Sequence, residues 1–567
     1  MDFRRIDISF ETISFFEKKT FNSIETANNA LKEKTGIVDF FEKEDDFIQF
    51  QQTLKNNKNI VAEKYVEYGD FQTNEKLAKS ICNYLKKKNL NPKILIEPTC
   101  GKGNFIISAI QTFDSLQQIF GIEIQEKHLW QLKFNLLTYF LNNLKTNKPK
   151  INLYHCNIFD FDFKRIKKYV NEQELLVIGN PPWVTNTVLS TLNSKNLPKK
   201  SNFKQAKGID AITGKGNFDI GEFISLKMLN LFSQENGYFA FLIKNSVIKN
   251  IIFEQKKNKY PISEIEKHAI HAQKEFDAAV AASLFVCKFN SISEFIATEY
   301  DFYTSIPKLT LGWVNNKFAS DTEKYKRYQD FDGICPFEWR QGVKHDCAKV
   351  MELERIEGGF RNALGEEFEL EEDLVYGILK SSDLKEDRVN NPRKYTIITQ
   401  KKIGQETNYI LEKLPKTKTY LQRHKNYFLN RKSSIYNGKP MFSIFGIGDY
   451  SFKPYKVAIS GLYKQTKFTL VEPNRTVLML DDTCYFVGFD TLEDALTTQF
   501  LLNKTETQEF IQSFMFTDAK RAITKDLLMR LDFNSIIQNT DYSELPLFTT
   551  YTEKFLSKTT EQLNLFS

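Results

Sequence analysis

The chain has 567 residues, a formal net charge of +7 and seven cysteines. Its length exceeds what one hydrophobic core serves, so two or three domains are expected and a small disulfide-stapled fold is excluded. The charge is mild for this size, permitting a polyanionic partner without requiring one, and any basic face must be local. The cysteines form no CxxC pair and have no histidines at zinc spacing, so they read as free thiols in a reducing compartment, with no structural metal indicated. The opening "MDFRRIDISFETISFF" lacks the apolar core of a secretory signal. No apolar run reaches the roughly 20 residues of a membrane span. A soluble, cytoplasmic protein without a membrane partner is expected.

Residues 1–60 place Phe, Ile and Leu at three- and four-residue steps among charges, in "FETISFFEKKTF" and "DDFIQFQQTL". This spacing predicts amphipathic helices that pack as a cap on the next domain. In "GDFQTNEKLAKSICNYL", Thr73 or Asn74 can cap a helix whose Leu77, Ile81, Tyr84 and Leu85 share one face. "KILIEPTCGKGNF" then gives a buried strand, Ile94 to Ile96, closed by Glu97. Gly101 and Gly103 allow a tight turn in which backbone approaches a ligand before a helix starts. The next strand, "IFGIEI", carries Glu123 near its end, about twenty residues past the glycines, where such folds place an acidic group against ribose hydroxyls. A long helix follows, and then "INLYHCNIFDF", a strand ending in polar residues around Asn157.

Leu175, Leu176, Val177 and Ile178 form a continuous apolar run that ends at Gly179, the pattern of a strand buried on both faces of a parallel sheet. Asn180-Pro181-Pro182-Trp183 stands at its carboxyl end, where open α/β sheets bind ligands. Two fixed φ angles hold this turn in one shape with carbonyl oxygens turned outward, and Asn180 adds a side-chain acceptor. Trp183 offers a π-face on which a base can stack for roughly 1–3 kcal/mol. The group suits a flat, amino-bearing ring; the ordinary alternative is a strand-ending turn with a packed tryptophan. Residues 185–216 are polar and aperiodic, reading equally as a loop at the mouth of a site or as a linker. A helix, a fifth strand "GYFAFLI" and the segment "KEFDAAVAASLFVCKF" follow. From about residue 300 short β-rich runs alternate with polar connections. "KLPKTKTYLQRHKNYFLNRKSSIYNGKP" and "GDYSFKPYKVAISGLYKQTKF" interleave Lys, Arg and Tyr, a mixture suited to nucleic-acid contact or to a solvated face.

These residues resemble the gamma class of DNA adenine-N6 methyltransferases, restriction–modification enzymes dependent on S-adenosylmethionine. "NPPW" is similar to their (Asn/Asp)-Pro-Pro-aromatic motif, and "EPTCGKGNF" to their (Asp/Glu)-Pro-x-Cys-Gly-x-Gly-x-Phe signature. "GDFQTN" resembles their Gly-x-(Tyr/Phe)-x-Thr-Pro, with Asn74 where the family has Pro. The resemblance implies that Thr73, Glu97, Pro98, Thr99, Cys100, Gly101, Gly103, Glu123, Asn157 and Pro182 bind the cofactor. Thr73 would contact its methionine moiety, Glu97 its amino group and Glu123 its ribose. Asn157 replaces the usual Asp at the cofactor's adenine, and an amide oxygen can accept that hydrogen bond without the charge. The implied catalytic residues are Asn180, Pro181, Pro182 and Trp183. Phe276 is implied to stack on the target base opposite Trp183, although with fifty phenylalanines in the chain a core Phe is an easy alternative.

The implied fold is α/β, a Rossmann-like class I methyltransferase sheet with helices on both faces, plus a separate α+β C-terminal target-recognition domain. The expected divisions are an N-terminal helical segment at 1–60, the catalytic domain at 61–300 and the recognition domain at 301–567. The implied substrate is adenine N6 in double-stranded DNA, with the base flipped out, and there is room for a separate cognate restriction endonuclease. Two other readings stay open: a methyltransferase acting on RNA or protein nitrogen, and a DNA-binding subunit of a restriction–modification complex. An ATPase is disfavoured because the glycine turn lacks the Gly-Lys-(Ser/Thr) ending of a phosphate loop.

Overall fold

The computed structural model describes residues 3–541 apart from 57–70, 144–147, 185–218 and the single positions 4, 5, 20, 172, 518 and 520. The expected loop at 185–216 and the Gly69-Asp70 pair lie outside the described residues. The chain divides into two compact units, Met1–Asn316 and Lys317–Ser567.

The first unit is organised by one sheet. Its strands are β1 (Ile94–Glu97), β2 (Gln118–Glu123), β3 (Lys150–His155), β4 (Leu175–Gly179), β5 (Gly237–Lys244), β6 (Ser263–Ala269), β7 (Ala282–Lys288), β8 (Ile296–Asp301) and β9 (Pro307–Val314). They lie side by side in the order β9-β8-β6-β7-β5-β4-β1-β2-β3. The strands β1 to β5 pair in parallel, and β7 runs antiparallel between β5 and β6. All residues of β1 and β4 are buried, as their unbroken apolar runs require. The chain leaves β1 toward β2 on one side and returns as β4 on the other. In the register Ile94↔Leu175, Leu95↔Leu176, Ile96↔Val177, the carboxyl ends of β1 and β4 therefore flank the point where strand order reverses. Residue 300, where the sequence changes character, lies inside β8.

The helices of this unit are α1 (Phe10–Lys18), α2 (Ile24–Thr35), α3 (Glu44–Asn56), α4 (Glu75–Lys87), α5 (Asn104–Thr112), α6 (Glu126–Asn142), α7 (Lys164–Val170), α8 (Ile220–Phe232), α9 (Asn245–Asn258) and α10 (Ala272–Phe276). Of the two capping candidates for α4, it is Asn74 whose side-chain oxygen accepts from Leu77 N, at 2.9 Å. The N-terminal helices α1 and α2 pack on α6. Aromatic rings from the flanking residues join them on α6: Phe3, before α1, meets Trp130 at 4.9 Å and Phe50 of α3 meets Phe134 at 5.3 Å between ring centroids. Beneath these rings Lys133 is almost wholly buried, its Nζ donating to Phe40 O at 2.8 Å and lying 4.6 Å from the centre of the Trp130 ring. Burial pulls this ammonium below the usual lysine range, and Glu42 opposes the shift.

The second unit is α+β. One five-stranded sheet is centred on Tyr455–Ser460 and Cys484–Phe489, and a six-stranded sheet on Glu352–Ile356, Lys394–Ile397 and Val375–Leu379. Helices at Pro415–Arg423, Leu492–Asn503 and Thr505–Gln512 accompany them. This unit corrects part of the sequence reading of its basic, tyrosine-bearing stretches. Tyr420 is core: its ring stacks on Phe368 at 3.9 Å and its hydroxyl donates to Val350 O at 2.7 Å. Arg431 donates to Ser443 O at 2.6 Å and Met441 O at 3.0 Å, with its guanidinium 3.6 Å from the Tyr436 ring centre. The reason is periodic. A helix that must bury Thr417, Tyr420 and Leu421 turns only its other residues, such as Lys416 and Arg423, outward. Tyr463 and Lys464, in contrast, are exposed.

Lys456, in the middle of the five-stranded sheet, is fully buried and donates to Lys453 O at 2.6 Å. Burial lowers its pKa from 10.5 to about 7. Between those limits the unfolded chain holds a proton that the folded chain does not, so stability should rise with pH across that window and be flat below it. Denaturant unfolding of the second unit at pH 7 and pH 10 should show this rise in the parent and its loss in Lys456→Met.

Candidate active site

The loop after β1 is shaped by two left-handed glycines, Gly101 (φ +50°) and Gly103 (φ +83°). A Cβ at Gly103 would come within 1.9 Å of Leu132 Cδ1, so the turn admits no side chain there. Glu123, at the end of β2, accepts from Gly101 N through Oε2 and from Gln125 N through Oε1, both at 2.8 Å. Cys100 is buried and its N donates to Ile122 O at 2.9 Å. Glu97 is buried beside this turn. Desolvation, aided by the charge of Glu123, holds its carboxyl well above the usual range. Its Oε2 and the Thr99 hydroxyl are buried polar atoms without a protein partner. Such atoms are rare because each costs about 1–3 kcal/mol.

The end of β4 adjoins this turn: a Cβ on Gly179 would stand 3.7 Å from Pro98 Cδ and 3.8 Å from Glu97 Cγ. The Asn180 Nδ2 that follows donates to Phe71 O at 2.6 Å and to Thr73 Oγ1 at 3.2 Å. Its Oδ1 is buried and has no protein partner. Pro181 is buried, and the Pro182 carbonyl faces the start of α8, 3.4 Å from where a Cβ on Gly221 would lie. Trp183 is anchored through Nε1 to Leu242 O at 3.2 Å. Lys244, from the end of β5, pairs with Asp219 and reaches Trp183 O at 3.4 Å. Burial raises the Asp219 carboxyl, against the pull of that ammonium.

The rings of Trp183 and Phe276 meet edge to face, 4.9 Å apart at 65°, and Phe71 packs on Trp183 at 5.3 Å. Rings that enclose a base stand about 7 Å apart, two van der Waals separations. In this arrangement the pair is therefore closed. Thr73 is brought against Asn180, its carbonyl accepting from Asn104 Nδ2 at 2.6 Å. Asn157 stands at the end of β3, next to the end of β2, where Cys156 N donates to Glu123 O at 3.0 Å. Its own Oδ1 accepts from Phe159 N at 3.0 Å. Ile158 is buried, and Phe159 packs on Phe223 of α8 at 5.0 Å.

Phe71, Gln72, Lys244 and Asp219 were not singled out in the sequence, and Asn74 was marked only as a cap candidate and a departure from the family pattern. Phe71 and Gln72 line the site, and Gln72 Oε1 accepts from Lys102 N at 3.2 Å. Phe71 occupies the aromatic position of the Gly-x-(Tyr/Phe)-x-Thr pattern, which was signal enough. Asn74, the departure from that pattern, caps α4 and also donates through Nδ2 to Glu275 Oε2 at 2.8 Å. The Glu275 Oε1 accepts from the Tyr303 hydroxyl at 2.9 Å, so the turn bearing Phe276 is tied from two sides. The Asn74, Lys244 and Asp219 contacts join distant segments and have no local signature.

The chemistry of this donor set fits S-adenosylmethionine. A buried carboxyl and hydroxyl with spare acceptor capacity, a side-chain-free glycine turn and an acidic strand end suit its amine, its backbone-hugging chain and its ribose. No protein-family model matches the chain. The type II methyltransferase M.NspV of Nostoc sp. (strain ATCC 29411 / PCC 7524) is 39% identical over 470 residues, covering 82% of this chain and 96% of that protein. A second type II methyltransferase, M.VspI of Vibrio sp. (strain 343), is 26% identical over 219 residues, 39% of this chain and 44% of that one. Among solved structures, the type IIL restriction–modification enzyme MmeI, determined in complex with DNA, shares the fold. The TM-score is 0.52 at 14% identity, over 80% of this chain and 64% of that one. On its 39% identity to a relative matched over nearly its whole length, the chain belongs to the type II methyltransferases, the S-adenosylmethionine-dependent modification enzymes of restriction–modification systems.

Proposed function

We propose that this chain is a site-specific DNA methyltransferase acting on N6 of a flipped-out adenine in double-stranded DNA. The observation that carries the reading is Asn180: its amide hydrogens are committed to Phe71 O and Thr73 Oγ1, and its buried oxygen is left to accept from a substrate amine. Adenine N6 is a poor nucleophile because its lone pair is delocalised into the ring. Hydrogen bonds from N6 to Asn180 Oδ1 and the Pro181 carbonyl draw that nitrogen toward tetrahedral geometry and absorb its growing positive charge. S-adenosylmethionine, when bound, supplies an electrophilic methyl group on a sulfonium. Glu97, Pro98, Thr99, Cys100, Gly101, Gly103, Glu123, Asn157 and Pro182 hold it in this reading.

The base leaves the duplex at a cost of a few kcal/mol, which stacking on Trp183 offsets in part. Trp183 is held by its bond to Leu242, and the Phe276 side chain, on a turn whose backbone is tied through Glu275, rotates aside to admit the base in this reading. Phe276 closes a five-residue helix that Asp277 ends in a left-handed conformation, and residues 279–281 beyond it are exposed. The second unit, Lys317–Ser567, is the target-recognition part, with Tyr463 and Lys464 among its outward side chains. A separate cognate restriction endonuclease is the companion this reading implies, in the cytoplasm.

Expression in a methylation-free host followed by long-read sequencing tests the whole reading. One motif should carry N6-methyladenine with the parent and none with Asn180→Ala, whose S-adenosylmethionine affinity should stay near the parent's. Methyl groups found instead on RNA or protein would replace DNA as the substrate. Glu97 gives a second test. In the free protein its raised pKa keeps it protonated over a wider pH range, and a cationic amine beside it favours ionisation. Cofactor binding should thus release a proton and strengthen as pH rises toward that pKa, then level off. Calorimetry in buffers of different ionisation enthalpy should detect the proton in the parent and not in Glu97→Gln; a flat parent profile would remove Glu97 from this role.

A further inference from the structure

We infer that Thr73 is a positioning residue for methyl transfer: the Phe71 carbonyl fixes which end of the Asn180 carboxamide faces the substrate, and the Thr73 hydroxyl holds that carboxamide in place. The inference rests on Asn180 as the acceptor of the target amine. A carboxamide has two ends of nearly equal shape, exchanged by a half-turn of the side chain, and only one of them can accept a hydrogen bond. Turned the wrong way, Asn180 would present an NH2 group to another NH2 group, and the transition state would lose its acceptor.

The protein decides the orientation before any substrate arrives. Phe71 O cannot donate, so the end of Asn180 that lies 2.6 Å from it must be the amide nitrogen. Thr73 Oγ1, 3.2 Å from the same nitrogen, supplies the second acceptor. The reverse orientation would set oxygen against oxygen at Phe71. Thr73 is 6% exposed, so water does not replace its hydroxyl freely. The two acceptors are themselves held in place. Asn104 Nδ2 bonds to Thr73 O at 2.6 Å, Lys102 N bonds to Gln72 Oε1 at 3.2 Å, and the Phe71 ring lies 5.3 Å from Trp183. One three-residue segment thus spans the glycine turn on one side and the substrate acceptor on the other. The resemblance assigned the Thr73 hydroxyl to the cofactor; here its oxygen accepts from Asn180.

The test uses the full chain and Thr73→Val, Thr73→Ala, Thr73→Ser and Asn180→Ala. Two quantities are read: kcat and KM on a duplex bearing the modified motif at saturating S-adenosylmethionine, and cofactor affinity by calorimetry. Losing one buried hydrogen bond to the acceptor should lower kcat about tenfold in the Val and Ala variants, with cofactor affinity near the parent's. Ser, which keeps the hydroxyl, should restore kcat. An unchanged kcat in both Val and Ala overturns the inference. So does a loss of cofactor affinity in both with kcat intact at saturation, since that outcome assigns the hydroxyl to the cofactor. The two levels separate cleanly. Normal turnover by Asn180→Ala would fell the underlying reading, whereas an inactive Asn180→Ala beside a normal Thr73→Val fells the positioning role alone.

Discussion

The parallel pairing of β1 with β4 is the constraint on which the rest of the site depends. Neighbouring strands lie about 4.8 Å apart, so the register that pairs Ile96 with Val177 brings the following Glu97 close to Gly179. That register is held by burial. Ile94 to Ile96 and Leu175 to Ile178 are almost fully removed from water, each side chain contributing roughly 2 kcal/mol. A slip of one residue would turn every side chain to the opposite face and scatter the polar ends. An apolar interaction without chemistry of its own thereby fixes a polar constellation to within ångströms.

Around those strand ends the usual rule of buried satisfaction is suspended. Glu97, Thr99 and Asn180 each keep a buried polar atom without a protein partner. Glu123 shows the contrast. It is equally close to the turn, yet both of its oxygens receive backbone N–H groups, one from the glycine turn and one from its own strand end. Two carboxyl groups from adjacent strands therefore live in different electrostatic states, one stabilised by dipoles and one pressed toward its neutral form by burial. Three such unpartnered atoms on the ends of two paired strands mark where a folded chain expects a ligand.

Much of this was legible in the sequence, and the boundary of legibility is physical. The strand β4 and the turn after β1 announce themselves through apolar runs that stop at polar residues and glycine, both local signals. The strand-end acid Glu123 follows from spacing. What the sequence hid are pairings across distance. Asn180 meets Phe71 across 109 residues and Asn74 meets Glu275 across 201. No periodicity encodes such a meeting; it exists only once the sheet has ordered the segments. The basic, tyrosine-rich stretches misled for the opposite reason. Their composition looks solvated, yet helix periodicity turns Tyr420 inward and a strand covered on both faces buries Lys456. The strands β8 and β9 carry enough Thr, Lys and Glu to resemble a change of domain, and they pair all the same as antiparallel neighbours in the first sheet.

Residues 1–56 show no chemistry, and their aromatic packing on α6 would pass for a removable cap. Lys133 argues otherwise. Its ammonium lies in the interior, and its acceptors, Phe40 O and Glu42, both belong to that N-terminal segment. Cut the segment away, and α6 is left with Trp130 and Phe134 uncovered, while the Lys133 ammonium loses both acceptors and passes into water. The catalytic sheet and its cap are thus inherited as one unit: a graft of this sheet onto another protein has to carry its first fifty-odd residues with it, or cover the aromatic face of α6 by other means.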